Sequence, residues 1–391
     1  MKQSSRVLIV SILLCFLSQL HGQDSLEVPK NWSLSGYIKS LNNVLSINEP
    51  SVGLDETLID GFLHNRLNFA WYPSDRWTFK AELRNRFFYG DVARSPLFIG
   101  FQEGLSEGND VLNLEVLNVG DDVILHSIFD RLHAQYTAGD WEITVGRQRI
   151  NWGINTVWNP HDIFNAFTFT DFDYEERPGS DAIRIKRYTG FASSVEIAVK
   201  AFEDIDEIVA AVLWKTNVNN TDWQFLAGRS FQDLVFGVGW AGALGQVGFK
   251  GELSYFESTT SSVENVFAGT LSWDYVFNNG VTVALGFLYN TTDNNTTNIF
   301  AFDLSARNLY PYAWSGVYVV NFSLSPLSTA GVSIIHSPIA GHPLFINPTF
   351  TYSLAQNIDM DIIGQFYFEG VSSGEYRSPT QSVNLRFKWS F

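Results

Sequence analysis

The feature that most constrains this chain is a series of segments of about ten residues in which apolar and polar side chains alternate. In the last of them, the apolar face consists of Val383, Leu385, Phe387, Trp389 and Phe391. The residues between these five are asparagine, arginine, lysine and serine. Because successive side chains of a β-strand point to opposite faces, each segment predicts a strand with one face in an apolar medium and the other in water.

The lengths of the connections between these segments distinguish a membrane barrel from a soluble sheet. We count about 18 segments, and their connections alternate between short and long. Tight turns are predicted at residues 73–76, 138–140, 243–245, 278–280 and 355–357, and long connections at 45–59, 91–122, 154–180 and 291–311. Short turns on one rim and long loops on the other are typical of outer-membrane barrels. The chain is therefore predicted to be all-β, a transmembrane antiparallel β-barrel of about 18 strands with long extracellular loops and short periplasmic turns.

The N-terminal residues indicate export. Lys2 and Arg6 precede an apolar run of about 14 residues that ends near Gly22, which is the layout of a secretory signal peptide. We therefore expect a signal peptide at residues 1–22 and a single barrel domain at residues 23–391, located in the cell outer membrane. The only cysteine, Cys15, lies inside the signal peptide, so no disulfide or thiolate chemistry is expected in the remaining chain.

Composition favours a membrane barrel over a soluble β-protein. Aromatic residues make up 15% of the chain, and a barrel uses such residues as girdles at both membrane interfaces. Charged residues make up 17%, below the roughly 25% of soluble domains. The formal net charge of −16 argues against nucleic acid as a partner.

Alternation also assigns the side chains that face the interior. The strands up to about residue 200 direct many basic side chains inward, whereas the wall from about residue 206 to 355 offers mostly small neutral ones. We therefore predict a channel with one basic side. The side chains predicted to line this channel or to contact the solute are Arg66, Lys80, Glu82, Arg84, Arg86, Arg131, His133, Arg147, Arg149, Asp162, Arg184 and Lys186.

Two of these residues conflict with simple alternation. Continuing the pattern from Trp141 would direct Arg147 and Arg149 toward lipid, which costs about 2–4 kcal/mol for an arginine at the membrane midplane. A β-bulge at Gly146, where glycine supplies the required dihedral angles, would turn both into the lumen, and we predict that bulge. Asp130 presents a similar conflict among apolar neighbours, for which we propose only pairing with a nearby arginine.

The long connection that follows contains a predicted helix start. Asn159 fits a helix cap, Pro160 the first helical position, and Asp162 the third residue past the cap. Residues 163–167 would supply the apolar face of this helix. The sequence leaves two arrangements open, because the helix either folds inward and narrows the channel or caps the extracellular rim from outside.

Three short motifs in this region resemble a known family. They are Gly-Arg-Gln at 146–148 with Trp-Gly at 152–153, Asn-Pro-His-Asp-Ile at 159–163, and Arg-Pro-Gly at 177–179. Their order and spacing are similar to a pattern in Gram-negative outer-membrane porins related to the alginate-export type. The resemblance covers about 40 residues directly and the rest of the chain only in layout. It implies an 18-stranded barrel with an arginine-rich constriction that serves anionic or oligomeric solutes.

These features favour a porin for small hydrophilic, anionic solutes, in which fixed guanidinium groups lower the barrier for carboxylates or phosphates. The alternatives are a structural, adhesin-like or uptake-accessory barrel and, with less support, an outer-membrane lipid-modifying enzyme. We expect no catalytic residues, no cofactor and no metal. The expected partners are outer-membrane lipid and lipopolysaccharide, the barrel assembly machinery through the strand ending at Phe391, and a small-molecule or oligomeric solute, but no nucleic acid.

Overall fold

The computed structural model describes residues 30–50, 53–94, 111–120, 122–167, 177, 179–202, 207–292, 304–371 and 374–391. The predicted signal peptide at 1–22 lies outside these residues. Among the described residues, the one helix is α1 (Asp91–Arg94), and no helix is long and apolar enough to cross a membrane. The strands are β1 (Trp32–Glu49), β2 (Leu54–Ser74), β3 (Trp77–Gly90), β4 (Glu115–Val119), β5 (Val123–Ala138), β6 (Trp141–Gln148), β7 (Ser180–Gly190), β8 (Ser193–Lys200), β9 (Val209–Val218), β10 (Thr221–Ser230), β11 (Asp233–Leu244), β12 (Val247–Ser258), β13 (Val266–Val276), β14 (Thr282–Asn290), β15 (Trp314–Ser325), β16 (Ser328–His336), β17 (Leu344–Ala355), β18 (Ile358–Gly370) and β19 (Tyr376–Ser390).

The strands form one closed antiparallel sheet. Strand β1 pairs with β2, β2 with β3 and β3 with β5, and from β5 onward each strand pairs with the next in the chain. Strand β19 returns to pair with β1 and closes the barrel. The short strand β4 pairs with the stretch of β5 beyond the end of β6, on the edge of β5 opposite to β3. The barrel wall therefore has 18 strands, as the sequence predicts, and β4 is an addition to it.

The alternating segments expose their apolar side chains on the outer surface and bury their polar ones. In β19, Val383 and Phe387 are 47% and 39% exposed, whereas Asn384 is 2% exposed. Neighbouring aromatic rings contact one another along the short-turn rim, where Trp240 lies between Trp223 and Phe249. The predicted orientation of the strands, with their apolar face outward, is confirmed.

The alternation of connection lengths is also confirmed, with one exception. The five predicted tight turns lie between strands at residues 75–76, 139–140, 245–246, 277–281 and 356–357, all on one rim. The connections at 91–122, 149–179 and 291–313 leave the opposite rim. The predicted long connection at 45–59 is wrong, because the pairing of β1 with β2 continues to Glu49 and Leu54. The polar residues in this stretch belong to strand ends that keep their backbone hydrogen bonds.

A β-bulge in β5 resolves the conflict at Asp130. The register between β3 and β5 shifts between Glu82, which is opposite Arg131, and Leu83, which is opposite Phe129, so Asp130 is the extra residue. Two consecutive side chains, Asp130 and Arg131, are consequently both buried. A bulge changes which face the following residues occupy, and it allows an acidic residue within an apolar run to point inward.

The predicted bulge at Gly146 is wrong. The pairing of β6 with β5 and with β7 is continuous through Gly146, without a register shift. Gly146 nevertheless has a φ angle of 111°, which glycine adopts readily and other residues rarely adopt. Strand β6 ends at Gln148, so Arg147 lies at the strand end, where it is 1% exposed and covered by other parts of the chain.

The bulge at Asp130 assembles a buried ionic cluster on β2, β3 and β5. Arg66 donates from Nη1 to Asp130 and from Nη2 to Glu82 Oε2 at 2.6 Å. Arg84 Nη2 lies 2.9 Å from Asp130 Oδ1. Arg66, Arg84 and Asp130 are almost completely buried, so water cannot solvate their charges. The opposite charges of these side chains compensate one another instead.

Replacing Asp130 by alanine is expected to destabilise the folded barrel by about 3–5 kcal/mol, because Arg66 and Arg84 would lose the carboxylate that they share. Urea unfolding of the protein in lipid vesicles, followed by tryptophan fluorescence, measures this change. The control Asp75→Ala, in the exposed turn after β2, should change the free energy of unfolding by less than about 0.5 kcal/mol. Equal stabilities of D130A and the wild type would contradict the role of Asp130.

Candidate functional site

The connection after β6 folds into the barrel. We call residues 149–167 the inward loop. Trp152, Trp158 and Phe164 of this loop are buried, and the rings of Trp152 and Phe164 meet edge to face at a centroid distance of 4.8 Å. The core cluster that contains Trp152 and Phe164 also contains Leu213 of β9 and Phe256 of β12. Of the two arrangements that the sequence left open, the structure has the inward one.

The predicted helix at Asn159 is absent, since residues 149–167 contain no helix. A single turn takes its place, in which the backbone N–H of Asp162 donates to the carbonyl of Asn159 at 3.1 Å. The Asn159 side chain does not cap this turn but lies over Gly153, where any Cβ would come within 2.5 Å of it. The amide of His161, which would have belonged to the first turn of the helix, binds instead to Glu252 on the barrel wall.

Glu252 of β12 is the main anchor of the inward loop. Its Oε1 accepts hydrogen bonds from the backbone N–H groups of Ile154 at 2.5 Å and Asn155 at 3.1 Å. Its Oε2 accepts from the backbone N–H of His161 at 3.0 Å. Glu252 is completely buried, and its one carboxylate accepts from three backbone amides of a loop that has no neighbouring strand to bind them. The prediction that this wall carries mostly small neutral side chains missed this residue.

The imidazole of His161 is the second anchor. Gln224 Nε2 donates to His161 Nδ1 at 2.5 Å, and His161 Nε2 donates to the carbonyl of Leu253 at 3.3 Å. The ring lies against Gly237 and Gly239, where a Cβ would approach it to 2.5 Å and 3.1 Å. Burial lowers the pKa of His161 from 6.5 to about 4, so the ring is neutral at neutral pH.

Asp162, a predicted channel residue, holds the loop together from within. Its Oδ1 accepts from the backbone N–H groups of Trp152 at 2.7 Å and Gly153 at 2.8 Å. Burial raises the pKa of Asp162, while these two hydrogen bonds and the nearby Arg177 oppose the rise. Arg177 Nη1 lies 3.7 Å from Asp162 Oδ2, which ties the end of the long connection nearest β7 to its middle.

The basic wall opposite these anchors is formed by β2, β3 and β5, and it contains predicted residues of two kinds. Arg66, Arg84 and Arg131 are buried, and Arg131 donates from Nη1 to the carbonyl of Asp130 at 2.7 Å. A second group is only partly buried and comprises Lys80, Glu82, Arg86 and His133. The structure therefore brings these residues together on one wall, with the second group nearer to the open space of the bore.

Arg86 belongs to a chain of polar contacts that reaches β4. Its Nη2 donates to His126 Nδ1 at 2.9 Å, and His126 Nε2 lies 2.8 Å from Glu115 Oε1. His126 and Glu115 were not predicted as site residues. Alternation from the predicted inward residues Arg131 and His133 directs His126 outward, and only the bulge at Asp130 turns it inward. Glu115 lies in a connection for which periodicity carries no signal.

Arg147 is predicted to line the channel, and the structure places it in a closed contact. Its Nε and Nη2 donate to Asp181 Oδ1 at 2.8 Å and Oδ2 at 3.0 Å, and Nη2 also donates to the carbonyl of Leu112 at 2.7 Å. Leu112 in turn donates from its backbone N–H to Asp181 Oδ2 at 2.7 Å. Arg149 lies in the inward loop two residues further on and is partly buried.

The remaining predicted residues lie on β7. Arg184 Nη2 donates to Glu142 Oε1 at 2.5 Å, and both side chains are partly buried. Lys186 extends its ammonium group to 4.6 Å from the centroid of the Tyr188 ring. These residues continue the basic wall toward the short-turn rim, where Arg184 is paired with a carboxylate across β6 and β7.

A chamber lies on the short-turn side of the inward loop. Its volume is about 320 Å³, and Ile154 of the loop lines it together with Tyr188, Ser194, Lys215 and Gln224. The chamber thus combines an ammonium group, an aromatic ring and polar groups of the wall. Lys215 was missed because the six residues before it on β9, 209–214, are all apolar and show no alternation.

A second connection, residues 304–313, packs beside the inward loop. The ring of Tyr310 lies 5.7 Å from that of Trp158, and the two belong to one buried cluster with Leu309. The hydroxyls of Tyr312 and Tyr367 are 3.1 Å apart, which links this connection to β18. Two connections therefore occupy the interior together. Within the described residues, no cluster of three or more His, Cys, Asp or Glu is arranged to hold a metal ion.

Replacing Glu252 by alanine is expected to loosen the inward loop and raise the single-channel conductance. The change leaves three backbone amides without this acceptor, which costs about 1–3 kcal/mol for the buried amide of His161 and less for the partly buried amides of Ile154 and Asn155. Conductance in planar bilayers measures the effect. Glu257→Ala is the matched control, since Glu257 lies on the same strand and is exposed. An unchanged conductance in E252A would show that Glu252 does not hold the loop.

Acidification from pH 6.5 to pH 4 is expected to weaken the docking of the inward loop by up to about 3 kcal/mol through His161. Its pKa is lower in the docked loop than when exposed, so protonation favours undocking in this range, and the stabilisation is complete above pH 6.5. Asp162, whose pKa is raised, acts in the opposite direction.

The pH dependence of conductance in the wild type and in His161→Gln isolates this contribution. Glutamine keeps an acceptor for Gln224 and a donor for Leu253 but does not titrate. The wild type should therefore show a larger rise in conductance on acidification than H161Q. The same rise in both proteins would assign the pH dependence to other groups.

Comparisons with known proteins show similarity in structure only. No family model matches the chain, and no curated protein sequence matches it. OccK11 (OpdR) of Pseudomonas aeruginosa is 9% identical with a TM-score of 0.58, over 92% of this chain and 96% of that one. OccAB1 of Acinetobacter baumannii is 9% identical with a TM-score of 0.53, over 95% and 99%. OpdK of P. aeruginosa, solved with vanillate, is 8% identical with a TM-score of 0.55, over 92% and 98%.

At these identities the likeness shows a shared fold. The matched proteins are outer-membrane porins, whereas the relation to porins of the alginate-export type is not confirmed. The chain has the closed 18-stranded antiparallel barrel fold of these outer-membrane porins.

Proposed function

We propose that the protein is an outer-membrane porin through which small hydrophilic solutes diffuse, with a preference for anions. An apolar outer surface around a polar interior supports a channel across a membrane. The fold shared with outer-membrane porins supports a location in the outer membrane. Three expectations stay predictions. They are contact with lipopolysaccharide, export by a signal peptide at 1–22, and recognition of the strand ending at Phe391 by the assembly machinery.

The observation that carries the preference for anions is a surplus of positive charge in the middle section of the wall formed by β2, β3 and β5, at residues 64–68 of β2, 80–86 of β3 and 126–133 of β5. The other carboxylates of β2, which are Asp55, Glu56 and Asp60, lie toward the long-loop rim. Fixed cationic groups in a narrow bore lower the barrier for anions and raise it for cations. Five cationic side chains of this wall stand beside three carboxylates, so pairing neutralises only part of the charge. The cations are Arg66, Lys80, Arg84, Arg86 and Arg131, and the carboxylates are Glu82, Glu115 and Asp130.

Small carboxylates are the class of solute that this arrangement favours. OpdK was solved with vanillate, which is an aromatic carboxylate. The chamber below the inward loop offers an ammonium group at Lys215 and a ring at Tyr188, which suit such a molecule. The oligomeric polyanion implied by an alginate-export-type porin stays a prediction. The two connections that occupy the interior favour a small solute over a polymer.

The double variant Lys80→Gln/Arg86→Gln is expected to lower the ratio of chloride to potassium permeability roughly two- to threefold. Both side chains are partly buried on the basic wall, and removing about 0.5 kcal/mol of attraction for an anion changes its partition roughly twofold. The reversal potential in a potassium chloride gradient across a planar bilayer measures the ratio.

The matched control removes two cations from the outer face. Arg187 lies over the ring of the exposed Trp141, and Arg229 is exposed near the end of β10. Arg187→Gln/Arg229→Gln should leave the permeability ratio unchanged. Cation selectivity in the wild type would refute the proposed preference while leaving the channel itself in place.

A second function is favoured by one observation. The inward loop and residues 304–313 pack into buried clusters inside the barrel, which is the arrangement expected of a closed, structural or uptake-accessory barrel. The same bilayer experiment separates the two functions. Absence of conductance in the wild type, together with conductance in E252A, would favour the accessory barrel.

A further inference from the structure

Two histidines form a pair on the outside of the barrel, at the long-loop rim. His336 is the last residue of β16, and His342 lies in the connection from β16 to β17. Their rings are nearly parallel, at an interplanar angle of 12°, and their centroids are 6.0 Å apart. Ile335, the residue before His336, is buried on the inner side of the wall, so His336 points outward.

The other histidines that the structure describes have hydrogen-bond partners within the chain. These partners are Tyr37 for His64, Arg86 and Glu115 for His126, the carbonyl of Arg147 for His133, and Gln224 and the carbonyl of Leu253 for His161. Among the same described residues, no group binds a ring nitrogen of His336 or His342, whose rings contact only each other. The nitrogens of this pair are therefore available to a ligand from outside the chain.

The backbone of His342 is held in a conformation that few residues adopt. Its φ angle is 41°, in the left-handed region, although a proline follows and residues before proline favour extended conformations. The amide of His342 donates to the carbonyl of Ile339 at 2.9 Å, and its carbonyl accepts from the Tyr376 hydroxyl at 2.6 Å. The amide of Gly370 on β18 donates to the carbonyl of Gly341 at 2.6 Å. These contacts fix the direction of the imidazole before any ligand binds.

The chemistry of the pair selects one class of ligand. Neutral imidazole nitrogens bind Zn²⁺, Cu²⁺ and Ni²⁺, whereas Ca²⁺ and Mg²⁺ take oxygen ligands. An ion about 2.1 Å from one nitrogen of each ring stands roughly 3.2 Å from each centroid, so one ion can reach both rings. His342 is exposed and His336 partly buried, so an ion has access to both from the water at the rim.

We propose that His336 and His342 together bind one divalent metal ion of the class that prefers nitrogen ligands, namely Zn²⁺, Cu²⁺ or Ni²⁺. The part of the chain that the structure describes supplies no third ligand, so water completes the coordination. The expectation of no metal rested on sequence motifs, and two histidines in one short connection match none of them. The site lies outside the bore, so the proposal depends neither on conduction nor on the solute.

Calorimetric titration with zinc chloride at about pH 7.5, where free imidazole is mostly neutral, tests the site. The protein is folded in detergent and carries no polyhistidine tag. The wild type should bind one ion per chain, and His336→Gln and His342→Asn should each weaken binding roughly tenfold or more, because each removes a ligand. Asparagine adopts the left-handed conformation more readily than most residues, so H342N should stay folded, which heat-modifiable mobility in gels verifies.

The control His133→Gln removes a partly buried imidazole that lies inside the barrel. H133Q should bind zinc as tightly as the wild type does. Absence of binding in the wild type, or undiminished binding in H336Q and H342N, would overturn the proposal. Loss of binding in H133Q alone would also overturn it, since the ion would then lie in the bore.

Pulsed electron paramagnetic resonance with Cu²⁺ counts the imidazole ligands directly. The wild type should show two coordinated imidazoles for each ion, and H336Q and H342N should each show one. A single imidazole in the wild type would contradict a shared site even if calorimetry detects a bound ion.

Discussion

Hydrocarbon offers no hydrogen-bonding partner, and most of this structure follows from that constraint. A sheet in such a medium leaves no backbone group unsatisfied only if it closes, and the pairing of β1 with β19 closes it. Closure creates an interior in which charged side chains are enclosed by the wall. Those charges then require partners of their own, which is why Arg66 and Arg84 converge on Asp130.

The backbone of the inward loop also needs hydrogen-bond partners, and side chains supply them. Irregular backbone inside a barrel has amides that no neighbouring strand can satisfy. Glu252 accepts from three such amides and Asp162 from two, so two buried carboxylates replace the backbone partners that a helix or strand would supply. Because these contacts are specific in direction and distance, the loop has one docked position instead of a loosely collapsed one.

Alternation and turn spacing predicted the barrel, its strand number and the inner face of its basic wall, because these depend on local periodicity. The predictions failed where a contact distant in sequence decides the local conformation. Asn159 and Pro160 satisfy every local rule for a helix start, yet Glu252, about 90 residues later, binds the amide of His161. Likewise, the bulge lies at Asp130 and not at Gly146, because the register with β3 determines it.

The pairing that makes the basic wall stable also limits its selectivity. Each carboxylate that compensates a buried arginine cancels the field which that arginine would exert on a solute. Arg66 and Arg84 therefore act mainly as structural charges, and the field in the bore comes from partly buried cations such as Lys80 and Lys186. The inward loop increases this effect, since it narrows the bore and excludes water that would screen those charges. Stability of the wall and attraction of anions thus depend on different members of one basic cluster.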